Sequence, residues 1–117
     1  MINVDCFVID IDGTLCELLP RGADYASAIP RADVIAAVNT AYGAGKRIIL
    51  FTARGMRSFA GDVAAIDAFH RPILVKWLNE HGVLYHELHF GKPWSGVTYY
   101  IDDHAMSIDD FLKVCRV

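Results

Sequence analysis

The sequence predicts an α/β fold: a Rossmann-like three-layer sandwich on a mainly parallel sheet. Three observations lead there. Short apolar runs, such as Cys6-Phe7-Val8-Ile9 and Ile48-Ile49-Leu50-Phe51, read as strands buried on both faces of a parallel sheet. Stretches with apolar residues at helical spacing separate them, and strands alternating with helices imply right-handed crossovers with helices on both faces. At 117 residues and 54% hydrophobic content, the chain holds one core and one domain, spanning 1–117.

Taken in order, Asn3 to Ile9 forms the first strand and stops at Asp10-Ile11-Asp12-Gly13-Thr14, where polar and turn-forming residues take over. Leu15 to Ala28 has Pro20, Gly22 and no sustained period, so it reads as a loop with room for a small hairpin, placed to act as a lid. Pro30 suits a first helical turn, and Val34, Ile35, Val38 and Tyr42 recur at helical spacing until Gly43 and Gly45. Lys46 to Phe51 is the second strand, ending at Thr52-Ala53-Arg54-Gly55. Gly55 to Phe69 reads equally as loop or as a short helix over Asp62 to Ala68. From Arg71, the positions Ile73, Leu74, Trp77 and Leu78 give an amphipathic helix ending at Gly82. Val83 to Phe90 is a third strand, 91–96 a loop, Val97 to Ile101 a fourth strand ending at Asp102-Asp103, and Ile108 to Val114 a last helix.

Composition excludes several classes. A net charge of −3 and a pI of about 5.9 give no overall basic field for a nucleic-acid backbone, which argues against that partner. Cys6, Cys16 and Cys115 form no CxxC pair and are odd in number, so a reducing cytoplasm is the simplest setting. Met1 to Leu15 lacks a basic start and carries three aspartates, which breaks any signal-peptide or membrane reading. The five histidines show no metal-ligand spacing; His86 and His89 would project to opposite faces of a strand.

The tips at Asp10, Thr52 and Asp102 all follow strands, so a parallel sheet brings them to one carboxyl edge, where ligands bind. Alone, Asp-x-Asp is a weak signal, since such acids also cap helices or stand in solvent. Asp10 and Asp12 with Asp102 and Asp103 are stronger: four carboxylates at one edge repel each other, and oxygen-only ligands favour Mg2+ over zinc.

Asp10-Ile11-Asp12-Gly13-Thr14, Thr52 at a strand end, Lys92, and Asp102-Asp103 resemble the four ordered motifs of the haloacid dehalogenase superfamily, across nearly the whole chain. That resemblance implies a single hydrolase core domain and a magnesium-dependent phosphomonoesterase working through an aspartyl phosphate. Asp10 would be the nucleophile and Asp12 the general acid and base. Thr52, the Ala53 amide and Lys92 would hold the phosphoryl oxygens, and Arg54 would either bind the substrate phosphate or pair with an acid on the rim. Magnesium would be bound by Asp10, the Asp12 carbonyl and Asp103, with Asp102 water-mediated or orienting Lys92. An acid at position 12 favours phosphoesters over the dehalogenase branch.

Lys92 departs from many relatives in standing on a loop, because only Pro93 to Gly96 separate it from the fourth strand. No stretch is long enough for a cap, so the site should be open to large or exposed phosphates. The Thr-Ala-Arg segment and Ile-Asp-Asp ending are similar to small phosphatase-like proteins of bacterial polysaccharide biosynthesis, which points to a phosphorylated small molecule such as a sugar phosphate. They are similar also to the phosphatase part of polynucleotide kinase-phosphatases, so a polynucleotide 3′-phosphatase is the alternative, with a non-catalytic binding domain of the same scaffold as another. A glycosyltransferase would use Asp-x-Asp for a metal and a nucleotide sugar, but it is usually far longer and needs neither Lys92 nor Asp103. Oligomeric state is left open.

Overall fold

The computed structural model of the protein describes residues 4–20, 22–95 and 97–115. Asn3, the expected start of the first strand, and Gly96 lie outside the described residues. The chain runs β1 (Cys6–Asp10), a 3-10 turn (Tyr25–Ser27), α1 (Ala32–Gly43), β2 (Arg47–Thr52), α2 (Val63–Glu80), β3 (Glu87–Phe90) and α3 (Ile108–Val114). It is an α/β, Rossmann-like sandwich on a parallel sheet, with no cap among the described residues. Among the described residues no helix is long and apolar enough to cross a membrane.

The sheet order is β1-β2-β3, both pairs parallel. Register sets Asp10 beside Phe51, and Thr52 beside Phe90, so the polar tips of β1 and β2 share one edge. The two faces of the sheet are unequally covered. Phe7, Ile9, Ile48, Leu50, Leu88 and Phe90 are buried beneath the helices, whereas Val8 and His89 on the alternate positions are exposed. Topology explains this: right-handed crossovers that step the same way across a sheet place their helices on the same face. Helix α3 joins that layer, with Phe111 edge-on to Phe7 at 5.1 Å between ring centroids.

Helix α2 is longer than its sequence suggests. Asp62 caps it by accepting from the Ala65 amide at 3.2 Å, and it runs through Pro72 to Glu80. Pro72 removes one backbone hydrogen bond. The stripe Ile66, Leu74, Trp77 and Leu78, buried in a single core, holds the helix together across that defect. Trp77 donates its indole N–H to the Ala28 carbonyl at 2.9 Å, which pins the loop after β1 to the core.

The expected fourth strand is not formed. Val97 to Ile101 have no regular structure and are all exposed. A parallel strand needs a crossover of about a dozen residues or more to return to the amino end of the sheet, and residues 91–96 are too few.

The turn after β2 is close-packed. Gly55 sits at φ +79°, and a Cβ there would stand 2.9 Å from His70 Cδ2 and 3.1 Å from Ile66 Cγ1, so only glycine fits. His70 is buried, and its Nδ1 has no hydrogen-bond partner among the described residues. Burial first, and the nearby Arg54 charge second, hold its pKa below the ordinary histidine value. The fold therefore favours the neutral ring, and protons favour the unfolded chain. Stability should fall as pH drops below about 6.5, the unperturbed histidine value. His70→Leu should flatten that part of the profile, read from urea midpoints between pH 7.5 and 5; an unchanged slope would show that His70 is not the group responsible.

Candidate active site

Two loops and a turn meet at the carboxyl edge. After β1 the chain turns sharply: the amides of Thr14, Leu15 and Cys16 all donate to the Ile11 carbonyl, at 3.1, 2.9 and 3.3 Å, and Gly13 takes φ +85°. This turn folds Thr14 back so that its hydroxyl donates to Asp10 Oδ2 at 3.2 Å. On the other oxygen, Lys92 Nζ donates to Asp10 Oδ1 at 3.0 Å. Lys92 stands just past β3, anchored by its own amide to the Thr52 carbonyl at 3.2 Å. Asp10 is thus flanked by a hydroxyl and a cation, and its side chain remains one-third exposed.

Asp12 faces a different partner. Arg54 donates through Nε to Oδ2 at 3.0 Å and to Oδ1 at 3.2 Å, and through Nη2 to Oδ1 at 3.0 Å. The guanidinium side chain is 1% exposed and lies 4.3 Å from the centre of the Tyr25 ring. A buried guanidinium of this kind is tolerated because the carboxylate meets its fork and the ring covers it. Thr52, fully buried at the end of β2, accepts from the Arg54 amide at 3.1 Å and donates to Asp12 Oδ2 at 3.4 Å. Cys16 lies against the same pair, its Sγ 3.6 Å from Asp12 Oδ1. Burial first and the Asp12 charge second push that thiol up to about 11, so it stays protonated and un-nucleophilic at neutral pH.

The structure therefore brings Asp10, Asp12, Thr52, Arg54 and Lys92 to one edge, with Ala53 between Thr52 and Arg54. Arg54 and Thr52 are turned onto Asp12 in this arrangement, so Lys92 is the cation nearest the open side of Asp10. Asp102 and Asp103 do not join them. Asp103 is 89% exposed, its near neighbour being His104 at 3.5 Å, and Asp102 accepts from the His104 amide at 2.8 Å. That amide, first among its causes, holds the Asp102 carboxyl below the usual range. The strand before them is unformed: Tyr100 packs its ring 4.2 Å from Lys92 Nζ, while the two acids beyond it stand in solvent.

A crystal structure of an MCSG target from Vibrio cholerae superposes on the chain with a TM-score of 0.86. It is 37% identical in sequence, over 93% of this chain and 88% of that one. The chain belongs to that protein's family. No protein-family model matches the chain, and no curated protein does. The Vibrio cholerae relative accordingly supports the architecture around the site.

A magnesium ion is a poor fit to one chain. The edge offers two carboxylates, Asp10 and Asp12, each already held by a cation, and no three His, Cys, Asp or Glu side chains among the described residues are grouped to hold a metal. Magnesium demands near-octahedral oxygen coordination and draws on carboxylates for its charge.

Sequence reasoning missed Thr14, Tyr25 and Cys16 as neighbours of the acids. Thr14 was findable as the last residue of the Asp-x-Asp-Gly-Thr run; Tyr25 comes from an aperiodic loop and left no signal. Arg54→Met leaves Asp12 without its partner, and breaking a buried ion pair costs about 3–5 kcal/mol, less here because Asp12 is partly hydrated. A loss of about 2–3 kcal/mol is expected in urea unfolding, with Arg54→Lys in between because an ammonium lacks the fork. A loss under about 0.5 kcal/mol, the range of ordinary surface changes, would show that the pair is not structural.

Proposed function

We propose that the protein is a phosphoryl hydrolase of the haloacid dehalogenase type, magnesium-dependent, with Asp10 as nucleophile. The observation that carries this reading is the Asp10 carboxylate, poised at the end of β1 between Thr14 and Lys92, with a second acid two residues away. An uncapped edge suits a phosphate carried on a sugar or another biosynthetic intermediate.

The chemistry follows from the side chains that the chain itself places. Lys92 offsets the Asp10 charge, so a phosphate dianion can approach a carboxylate that would otherwise repel it. An Asp10 oxygen attacks phosphorus, the ester P–O bond breaks, and Asp12, which takes up a proton from solvent as its carboxyl turns from Arg54, passes that proton to the departing alkoxide. This leaves an aspartyl phosphate and an alcohol. Water then attacks phosphorus while Asp12 takes back a proton, releasing phosphate and restoring both acids. Arg54 and Thr52 hold Asp12 before reaction, so the acid must turn from the guanidinium to meet the leaving oxygen. Lys92 stays beside the phosphoryl oxygens throughout, where charge accumulates.

Hydrolysis of p-nitrophenyl phosphate tests the reading, with magnesium titrated against initial rate. Asp10→Asn should lower the rate at least about a thousand-fold, because an amide cannot form the acyl phosphate. Asp12→Asn should lower it about a hundred- to ten-thousand-fold, as for a lost acid–base group. Substantial turnover by a folded, non-deamidated Asp10→Asn protein would overturn the nucleophile assignment. A substrate panel of sugar phosphates, nucleotides and 3′-phosphorylated oligonucleotides separates the small-molecule reading from a polynucleotide phosphatase.

A further inference from the structure

Three features of the fold are incomplete in one chain, and they fit one another. The first is β1, which ends the strand order, so its outer edge offers unpaired backbone groups among the described residues. Beside that edge the apolar Val8 is 63% exposed. Such an edge invites another strand. The second is the segment Val97-Thr98-Tyr99-Tyr100-Ile101. Its alternate residues Val97, Tyr99 and Ile101 are 87%, 89% and 98% exposed, a β-branched and aromatic set that belongs in a sheet. It matches β1 in length, five residues each. The third is the site, with two acids where magnesium would want a third, while Asp102 and Asp103 follow that segment directly.

A chain cannot close this gap on itself. To lie parallel along the free edge of β1, Val97 would have to start three strand spacings from β3, about 14 Å across, and at the far end of strands about 16 Å long. The straight line between these points is about 22 Å, and a path round the sheet is longer. Lys92 is held by its amide to Thr52, so five Cα steps remain from Lys92 to Val97, spanning about 17 Å when fully extended. An antiparallel approach is within reach, but it would send Asp102 and Asp103 to the amino edge, away from Asp10.

We propose that two copies of the chain exchange the segment 97–103, each laying it parallel on the outer edge of the other's β1 and bringing Asp102 and Asp103 beside the other's Asp10 and Asp12. Exchange of an identical element across a two-fold axis makes a closed dimer in which the outer edge of each β1 is used once. Each sheet gains a fourth strand, and each site is composite. The metal part of the proposal rests on the phosphoryl-hydrolase reading; the exchange itself rests on the connection length and the exposed segment alone.

Two measurements on the full chain separate these. In the exchanged dimer Val97 of one copy lies near Cys6 of the other, at the start of β1, while Cys16 and Cys115 are buried. Val97→Cys, treated in its native state with a short bis-maleimide, should therefore give a covalent dimer on a denaturing gel. Adding Cys6→Ser should abolish it. A monomer in solution, or a cross-link confined to single chains, overturns the exchange and leaves the phosphatase reading standing. The second measurement mixes Asp10→Asn with the double variant Asp102→Asn/Asp103→Asn, refolded together and assayed at limiting magnesium. In a mixed dimer one site then carries all the native acids, and random pairing makes about a quarter of all sites intact. Activity should rise at least about ten-fold above either variant alone, since neither alone has an intact site. Cross-linking without complementation, in a parent protein that hydrolyses phosphate esters, overturns the composite site. Cross-linking of a parent with no such activity overturns the hydrolase reading and keeps the exchange.

Discussion

The Asp12–Arg54 ion pair holds the edge of the molecule in one arrangement. Arg54 is 1% exposed on a turn that follows β2, and Asp12 stands on the turn that follows β1. Without the carboxylate, a buried guanidinium would carry an uncompensated charge. Without the guanidinium, the turn after β1 would lose its tie to β2. Around this pair gather Thr52, which bonds to both partners, Tyr25, which covers the guanidinium, and Cys16, which lies against the carboxylate. Asp10 then falls to the open side, where among the described residues Thr14 and Lys92 reach it. One acid is held by the ion pair until it turns from the guanidinium, and the other is left accessible, a division that suits an acid–base group and an exposed nucleophile.

Much of this was legible in the sequence because period and punctuation agreed. Apolar runs ending in Asp10 and Thr52 gave β1 and β2, parallel pairing gave their shared edge, and α3 runs over the residues expected of it, capped by Ser107, whose hydroxyl accepts from the Asp110 amide at 3.1 Å. Where the reading fell short, tertiary packing overrode a local rule. Pro72 is a helix breaker in isolation, but Trp77 and Leu74 bury enough surface to carry α2 through it. Residues 83–86 were read as strand, whereas regular pairing begins at Glu87, with His86 already bonded to Ile48 through its amide at 2.9 Å. For Arg54, whether it faced substrate or an acid depended on Tyr25 and Cys16, which sequence spacing did not bring near it.

The segment 97–103 shows a limit of another kind. Its composition is that of a strand and the acids after it are those of a site, so local pattern argued for a fourth strand. The connection before it has no crossover helix, and helix-free returns of this length do not make parallel neighbours. The same missing crossover accounts for the bare face of the sheet: a helix between β3 and a strand beyond β1 would step back across the sheet and cover the side that carries Val8 and His89. One short connection thus explains an uncovered face, an unpaired edge and two stranded carboxylates.

A covalent phosphoryl group on Asp10 is the intermediate that the proposed reaction requires. A single-turnover reaction with a 32P-labelled phosphomonoester, quenched in acid, should leave label on the protein, labile to hydroxylamine, mapping to the peptide that contains Asp10 and absent from Asp10→Asn. Label at any other residue, or burst-free turnover by a protein that never carries it, would contradict an aspartyl phosphate and with it the assignment of the site.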